Sequence, residues 1–298
     1  MRALFITYLL KFLSFFPLVV LHHLGRLIGH LLFIFPNKAK TVTHANIQHC
    51  FPDKTKHAQQ QLIKLSLIEM GKTFTESAAI WFWPKEKLAV LLHDSLSTTR
   101  LKETVQPNQG IIFLTPHLGA WELSGFYCTQ IRPLTAMYRP PRLGSLEPII
   151  RQGRENLDMK LAPTAAQGIR RLSRALKQNE GIGILPDQDP GKNGGVFVPF
   201  FNQPANTMTL VSRLAIKTKA PVFFIYAERL PKGKGYLIHC EQAPKALTDG
   251  TLEESVAALN QSVEHCVQQL PTQYQWSYKR FKNQPKGMPN IYRRAKKR

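Results

Sequence analysis

A chain of 298 residues is long enough to bury one large α/β core with a short appendage, and its 40 Lys and Arg against 19 Asp and Glu leave a net charge of +21. That excess points to anionic partners, whether nucleic acid, acidic protein or anionic lipid head groups, and charge alone does not choose among them. Cys50, Cys128, Cys240 and Cys266 stand far apart with no Cys-x-x-Cys pair, which argues against a zinc ribbon or a disulfide framework and for reduced thiols.

From Ala3 to Phe35 the chain is dominated by Leu, Phe, Ile and Val, interrupted by Lys11, Pro17, the pair His22-His23 and Arg26. A cleaved secretory signal fits poorly, because the region lacks a small-x-small site and stays apolar well past a normal signal core. Residues 1–36 read instead as an anchor. One form is a spanning helix from Ala3 to Leu21, if Lys11 is tolerated and Pro17 only kinks it; the other is an interfacial helix with Lys11 snorkelling to the head groups. Two ordinary core helices are the plainer alternative.

Residues 37–298 show no repeat or low-complexity linker and read as one domain ending in a basic tail. Asn37 to Asp53 is polar and basic, and Lys54 to Trp83 carries apolar residues at helical spacing. Short apolar runs bounded by Gly or Pro then predict strands at Ile111–Leu114, Leu134–Tyr138, Ile182–Leu185, Val222–Tyr226 and Tyr236–His239. Helical stretches alternate with them at Trp121–Gln130, Glu147–Asn156, Gln167–Gln178 and Thr209–Lys217. The pattern predicts an α/β fold with a mixed, largely parallel sheet flanked by helices. From Pro271, the alternation of Tyr274, Trp276 and Tyr278 suggests an edge strand. The tail carries Lys279, Arg280, Lys282, Lys286, Arg293, Arg294, Lys296, Lys297 and Arg298, and reads either as a solvated tail from about Pro289 or as a patch for an anionic membrane.

The most informative segment runs from Gly110 to Glu122: a buried strand, a Thr-Pro stop, then His117 at the mouth of a helix. Open α/β sheets place ligands at the carboxyl ends of their strands, where His117 would stand. A helix starting near Gly119 would let the Glu122 carboxylate reach back to one imidazole nitrogen, fixing the tautomer while the other nitrogen takes a proton from a hydroxyl. No Gly-x-Ser-x-Gly elbow supplies a nucleophile, so the attacking hydroxyl belongs to a substrate. A capping or structural histidine is the bland reading of His117. The pattern is not a zinc His-Glu-x-x-His motif, since Leu118 stands at its second position. Asp187 and Asp189 follow another apolar strand and either bond sugar hydroxyls or cap the Asp-Pro-Gly turn. Phe197, Phe200 and Phe201 either line an acyl groove or belong to the core.

His117-Leu-Gly-Ala-Trp-Glu122 resembles the H-x4-D/E signature of the lysophospholipid acyltransferase superfamily, in the Glu form typical of lipid A biosynthesis lauroyl/myristoyl acyltransferases. The stretches THANIQHCFP from Thr43, Tyr138-Arg139-Pro140 with Arg151 to Arg154, PDQDPGKNGGVFVPFF from Pro186 and WSYKRF from Trp276 resemble further blocks of that family, in order along the chain. The resemblance implies an acyltransferase domain in which His117 is the base, Glu122 its partner, and Arg154 a neighbour of the thioester carbonyl or a substrate phosphate. It places Arg139 in the substrate-side block and Asp187 and Asp189 in the Asp-Gln block, all three as substrate-binding residues. It further implies an acyl carrier protein as donor, a lipid A precursor as acceptor, no cofactor, no nucleic acid, and the cytoplasmic side of the bacterial inner membrane. Another acceptor, a lysophospholipid or glycolipid, or a non-catalytic basic membrane-binding protein, are the competing readings.

Overall fold

The computed structural model describes residues 2–141, 144–191 and 194–294. Five helices open the chain: α1 (Arg2–Leu13), α2 (Leu18–Ile34), α3 (Lys38–Cys50), α4 (Lys56–Phe82) and the short α5 (Lys85–Ala89). They lead through β1 (Leu92–Asp94) and α6 (Leu96–Thr104) to β2 (Ile111–Leu114), α7 (Trp121–Thr129), β3 (Leu134–Tyr138), α8 (Glu147–Asn156), β4 (Met159–Pro163), α9 (Ala166–Lys177) and β5 (Gly181–Ile184). A hairpin of β6 (Gly195–Phe200) and β7 (Gln203–Met208) follows, then α10 (Leu210–Thr218), β8 (Val222–Arg229), β9 (Tyr236–Gln242), α11 (Ala246–Asp249), α12 (Leu252–Gln269) and α13 (Ile291–Arg294).

Seven strands form one sheet in the order β1-β9-β8-β2-β5-β3-β4, parallel throughout except where β8 meets β9. The mixed, largely parallel α/β sheet expected from the sequence is therefore present. Strand β2 lies at its centre with all four residues buried, as a strand covered on both faces must be. Its alternate side chains feed two cores. Ile112 and Leu114 pack with Leu172, Ala175 and Leu176 of α9 and with α10 and α12 on one face. Ile111 and Phe113 pack with Leu10 and Leu13 of α1, Leu18 and Leu21 of α2, and α7 on the other.

The spanning helix weighed for Ala3 to Leu21 does not form: the chain leaves α1 after Leu13 and restarts at Leu18, with Pro17 as the N-cap. No single helix among the described residues is long and apolar enough to cross a membrane. Instead α2 lies against α4, where a Cβ on Gly29 would stand 2.3 Å from the Ile68 Cα and one on Gly71 would stand 2.1 Å from the Gly25 carbonyl oxygen. Only glycine permits that approach. The outer surface of these helices stays apolar, with Tyr8, Phe12, Phe15, Leu27, Leu31, Ile34 and Phe35 exposed.

A buried ionic knot fastens the helices to the sheet. Arg229, at the end of β8, donates through Nε to both oxygens of Glu76 at 2.9 and 2.8 Å and through Nη2 to Thr73 Oγ1 at 2.6 Å. His22 and the Tyr236 hydroxyl also meet Glu76, at 3.2 and 3.1 Å. Burial alone would raise the Glu76 carboxyl, but the charge and hydrogen bonds of Arg229 and His22 overcome it and hold the group at about 2. Its folded value lies below the unfolded value of about 4.3, so this contribution to stability is complete above that pH and is lost as the pH falls towards 2. Glu76→Gln, which leaves Arg229 with only the more distant Glu69 carboxylate at 3.6 Å, is expected to cost about 3 kcal/mol at neutral pH. Urea melts from pH 7 to pH 3 check both points: the wild type loses stability on acidification and the variant loses less.

Two C-terminal expectations change. Pro271 onward is not an edge strand; apart from an isolated bridge between Leu118 and Tyr274, residues 271–290 form turns and irregular chain, with Tyr274 and Trp276 buried, before α13. The solvated tail expected from about Pro289 is interrupted by the buried Tyr292, and the basic run before it is anchored at Arg280. Arg280 is buried and donates to the Asn206 carbonyl at 2.6 Å and Thr207 Oγ1 at 2.7 Å, and the buried Tyr292 hydroxyl bonds Asn46 at 2.6 Å. Lys296, Lys297 and Arg298 lie outside the described residues.

Candidate active site

The site is built at the carboxyl edge of the central strands. After Leu114 the Thr115-Pro116 step ends β2, and His117 begins a loop clamped on two sides. The Gly119 N–H donates to the Gln273 carbonyl at 3.1 Å, the Ala120 N–H to Ala227 at 2.8 Å, and the Gln275 N–H to the His117 carbonyl at 3.0 Å. The segment expected as an edge strand thus lies across this loop. Gly119 has φ +60, and a Cβ there would fall 1.9 Å from the Ala227 carbonyl oxygen, so glycine is required on both counts. Arg229 of the ionic knot adds a bond from Nη2 to the Gly119 carbonyl at 2.9 Å.

The carboxylate on His117 belongs to Asp187, not to Glu122. Asp187 Oδ1 accepts from His117 Nδ1 at 2.8 Å, while Oδ2 accepts the His117 backbone N–H at 3.0 Å. Strand register explains the pairing. Strands β2 and β5 are parallel neighbours with Leu114 opposite Ile184, and His117 and Asp187 each stand three residues further along. Burial would raise the Asp187 carboxyl, yet the adjacent imidazole and two N–H donors leave it lowered overall. With Nδ1 donating to this carboxylate, Nε2 carries the lone pair, and the Gln188 amide donates to it at 3.1 Å. Trp121 borders the imidazole, with ring centroids 5.3 Å apart.

Glu122 is engaged elsewhere. Its two oxygens accept from Arg154 Nη2 at 2.6 Å and Nε at 2.9 Å, a bidentate pair joining the first turn of α7 to the last turn of α8. The Arg154 guanidinium also lies 5.2 Å from the centre of the Tyr138 ring. The pair borders a narrow cleft whose other walls include Phe113, Trp121, Ala136, Met137, Met159 and Leu185. Arg139 is exposed just past β3, at the same carboxyl edge of the sheet.

Asp189 does not present its carboxylate to a ligand. It is buried and accepts from the Gly191 N–H at 2.8 Å, Asn283 Nδ2 at 2.8 Å and Asn206 Nδ2 at 3.1 Å, so it ties the turn and the C-terminal segment together. Phe200 and Phe201 are core residues packed against Phe51, Tyr274, Trp276 and Phe281, whereas Phe197 is exposed. All four cysteines are buried free thiols that burial pushes upward, Cys240 to about 12, which leaves them unsuited to nucleophilic attack at neutral pH.

A histidine whose Nδ1 is locked by a buried carboxylate, beside an apolar cleft edged by an arginine, is equipped to deprotonate a hydroxyl next to a fatty chain. A family model for bacterial lipid A biosynthesis acyltransferases matches residues 2–283. The chain belongs to that family. Among its relatives are the lipid A biosynthesis lauroyltransferase of Escherichia coli K12, 28% identical over 285 residues (93% of this chain and 90% of that protein), and the palmitoleoyltransferase of the same organism, 27% identical over 281 residues (93% and 89%). The E. coli lipid A biosynthesis myristoyltransferase is 24% identical over 283 residues (92% and 84%). This lipid A biosynthesis acyltransferase family member is therefore an enzyme of acyl transfer.

Proposed function

We propose that the protein transfers a fatty acyl group from an acyl carrier protein thioester to a hydroxyl, or to a hydroxyacyl chain, of a lipid A precursor, at the cytoplasmic face of the bacterial inner membrane. The observation that carries this reading is the His117–Asp187 pair at 2.8 Å, which fixes Nε2 as the proton acceptor. The acceptor hydroxyl replaces the Gln188 amide at Nε2 and gives up its proton as its oxygen attacks the thioester carbon. Asp187 stabilises the imidazolium that forms. When the tetrahedral intermediate collapses, the carbon–sulfur bond breaks and Nε2–H returns the proton to the departing thiolate.

Arg154 uses Nε and Nη2 on Glu122, and its remaining N–H groups are available to the thioester oxygen or to a substrate phosphate. The apolar walls of the narrow cleft beside Trp121 support placing the start of an acyl chain there. Exposed aromatic and aliphatic residues of α1 and α2 at i, i+4 spacing (Tyr8 and Phe12, Leu27 and Leu31) support seating in the lipid interface, with exposed Lys11 among the head groups.

The test is transfer by the purified protein, in detergent, from lauroyl-, myristoyl- and palmitoleoyl-carrier protein to a tetra-acylated, Kdo-bearing lipid A precursor, followed by mass spectrometry. A product one acyl group heavier is expected. Absence of product with all three donors, together with acylation of a lysophospholipid, would move the acceptor to another lipid.

A further inference from the structure

Helix α9 carries Arg170, Arg171, Arg174 and Lys177, all exposed, and no acidic residue. None of these four cations forms an ion pair among the described residues. The contrast with α8 is direct, since Arg151 there pairs with Glu147 at 2.7 Å and with Glu155 at 3.7 Å. Arg170 and Arg174 are four residues apart, and Arg171 and Arg174, like Arg174 and Lys177, are three apart. Like charges at these spacings destabilise a helix. Buried Leu172, Ala175 and Leu176 hold the helix to the sheet in spite of that repulsion.

Its position bears on what the charge is for. The helix begins just after β4 ends, at the carboxyl edge that carries His117, and runs about 18 Å down the flank of the sheet. Leu172, Ala175 and Leu176 pack into the core on one face of the sheet, whereas Leu10, Leu13, Leu18 and Leu21 of the N-terminal helices pack into the core on the other. The basic stripe therefore lies across the sheet from α1 and the first turns of α2, while Leu32 and Phe33 at the end of α2 reach the core on the α9 side. It also lacks the exposed aromatic residues of α1, Ile169 being the one exposed large aliphatic side chain on α9. A lipid surface that seats α1 and the start of α2 leaves α9 on the opposite face of the sheet, open to a soluble partner.

We propose that Arg170, Arg171, Arg174 and Lys177 form the dock for the acidic protein that carries the acyl thioester, so that the thioester arm reaches His117 over the carboxyl edge of β3, β4 and β5. The inference rests on the carrier-protein donor proposed above. Complementary charge of this kind acts mainly on encounter and falls with ionic strength.

The experiment measures the affinity of fluorescently labelled acyl carrier protein for the detergent-solubilised wild type and for the triple variant Arg170→Glu/Arg174→Glu/Lys177→Glu by anisotropy, at low and physiological salt. Melting temperature and binding to vesicles containing an anionic phospholipid are measured in parallel. The expected result is a Kd raised on the order of tenfold or more at low salt, a salt dependence that is steep in the wild type and shallow in the variant, and unchanged melting and vesicle binding. Carrier affinity equal to wild type would overturn the dock while leaving the donor assignment intact. Vesicle binding lost in place of carrier binding would make this a membrane face and overturn it too. A wild type that neither binds the carrier nor uses its thioester would remove the donor assignment and the dock together. If the triple variant melts early, Arg170→Gln/Arg174→Gln decides by the same comparison.

Discussion

Asp187→Asn is expected to lower kcat by about 10²–10⁴ with little change in the KM for either substrate. Both carboxylate oxygens of Asp187 receive N–H donors, one from the imidazole and one from the His117 backbone. An asparagine satisfies only one of them. Turned one way, its amide NH2 confronts the backbone N–H; turned the other, it donates to Nδ1 and drives the ring proton to Nε2, where the base must be bare. Either way the negative charge that supports the imidazolium is gone. Steady-state kinetics with varied acceptor checks this, and a loss confined to KM would assign Asp187 to substrate binding instead.

The second large effect concerns Glu122. Its fork–fork contact with Arg154 joins α7 to α8, so removing either partner strands a charge that is only 12–15% exposed. Glu122→Gln and Arg154→Ala are each expected to reduce kcat/KM by about tenfold to a hundredfold, and the double variant is expected to be little worse than either alone, because residues that act as a unit lose their effect once. A double-mutant cycle separates the two roles open to this glutamate. Coupling on the order of 2 kcal/mol between Glu122 and Arg154, with near-additivity between Glu122 and Asp187, follows from the geometry. Strong coupling of Glu122 to Asp187 and none to Arg154 would return Glu122 to the imidazole.

Much of the architecture is legible in the sequence because β2, β3, β5 and β8 are largely buried apolar runs bounded by Gly or Pro and β9 alternates buried with part-exposed residues, with helical periodicity between most of them. The elements that escape are those whose pattern is weak. Strand β1 is three residues with an exposed end, β4 is a short edge strand, and the β6–β7 hairpin turns at Phe201 and Asn202, non-glycine residues with φ 50 and 57. Helix α3 was hidden by its polar face, although Asn37 caps it. Helix α12 carried a readable signal, the Thr251 and Glu254 capping box, before a mixed surface pattern.

At the site, His117 was legible because a Thr-Pro stop after a buried strand marks a carboxyl edge. Its partner was not. Asp187 is 70 residues away, and β3 and β4 are inserted in the chain between β2 and β5 yet lie outside them in the sheet. Strand order is a tertiary fact that no local pattern encodes, so the nearby Glu122 looked like the obvious carboxylate. Likewise Asp189 sits in strong turn chemistry, and the turn claims it through Asn206, Asn283 and Gly191.

In the proposed mechanism His117 Nε2 is the base for direct transfer from thioester to hydroxyl. This role is tested most directly by mass spectrometry of the lipid product made by the wild type and by His117→Ala from an acyl carrier protein thioester, with folding verified by thermal melting. Product is expected from the wild type and none from a folded His117→Ala beyond the uncatalysed background. Product formed by that variant at a rate near wild type would contradict it.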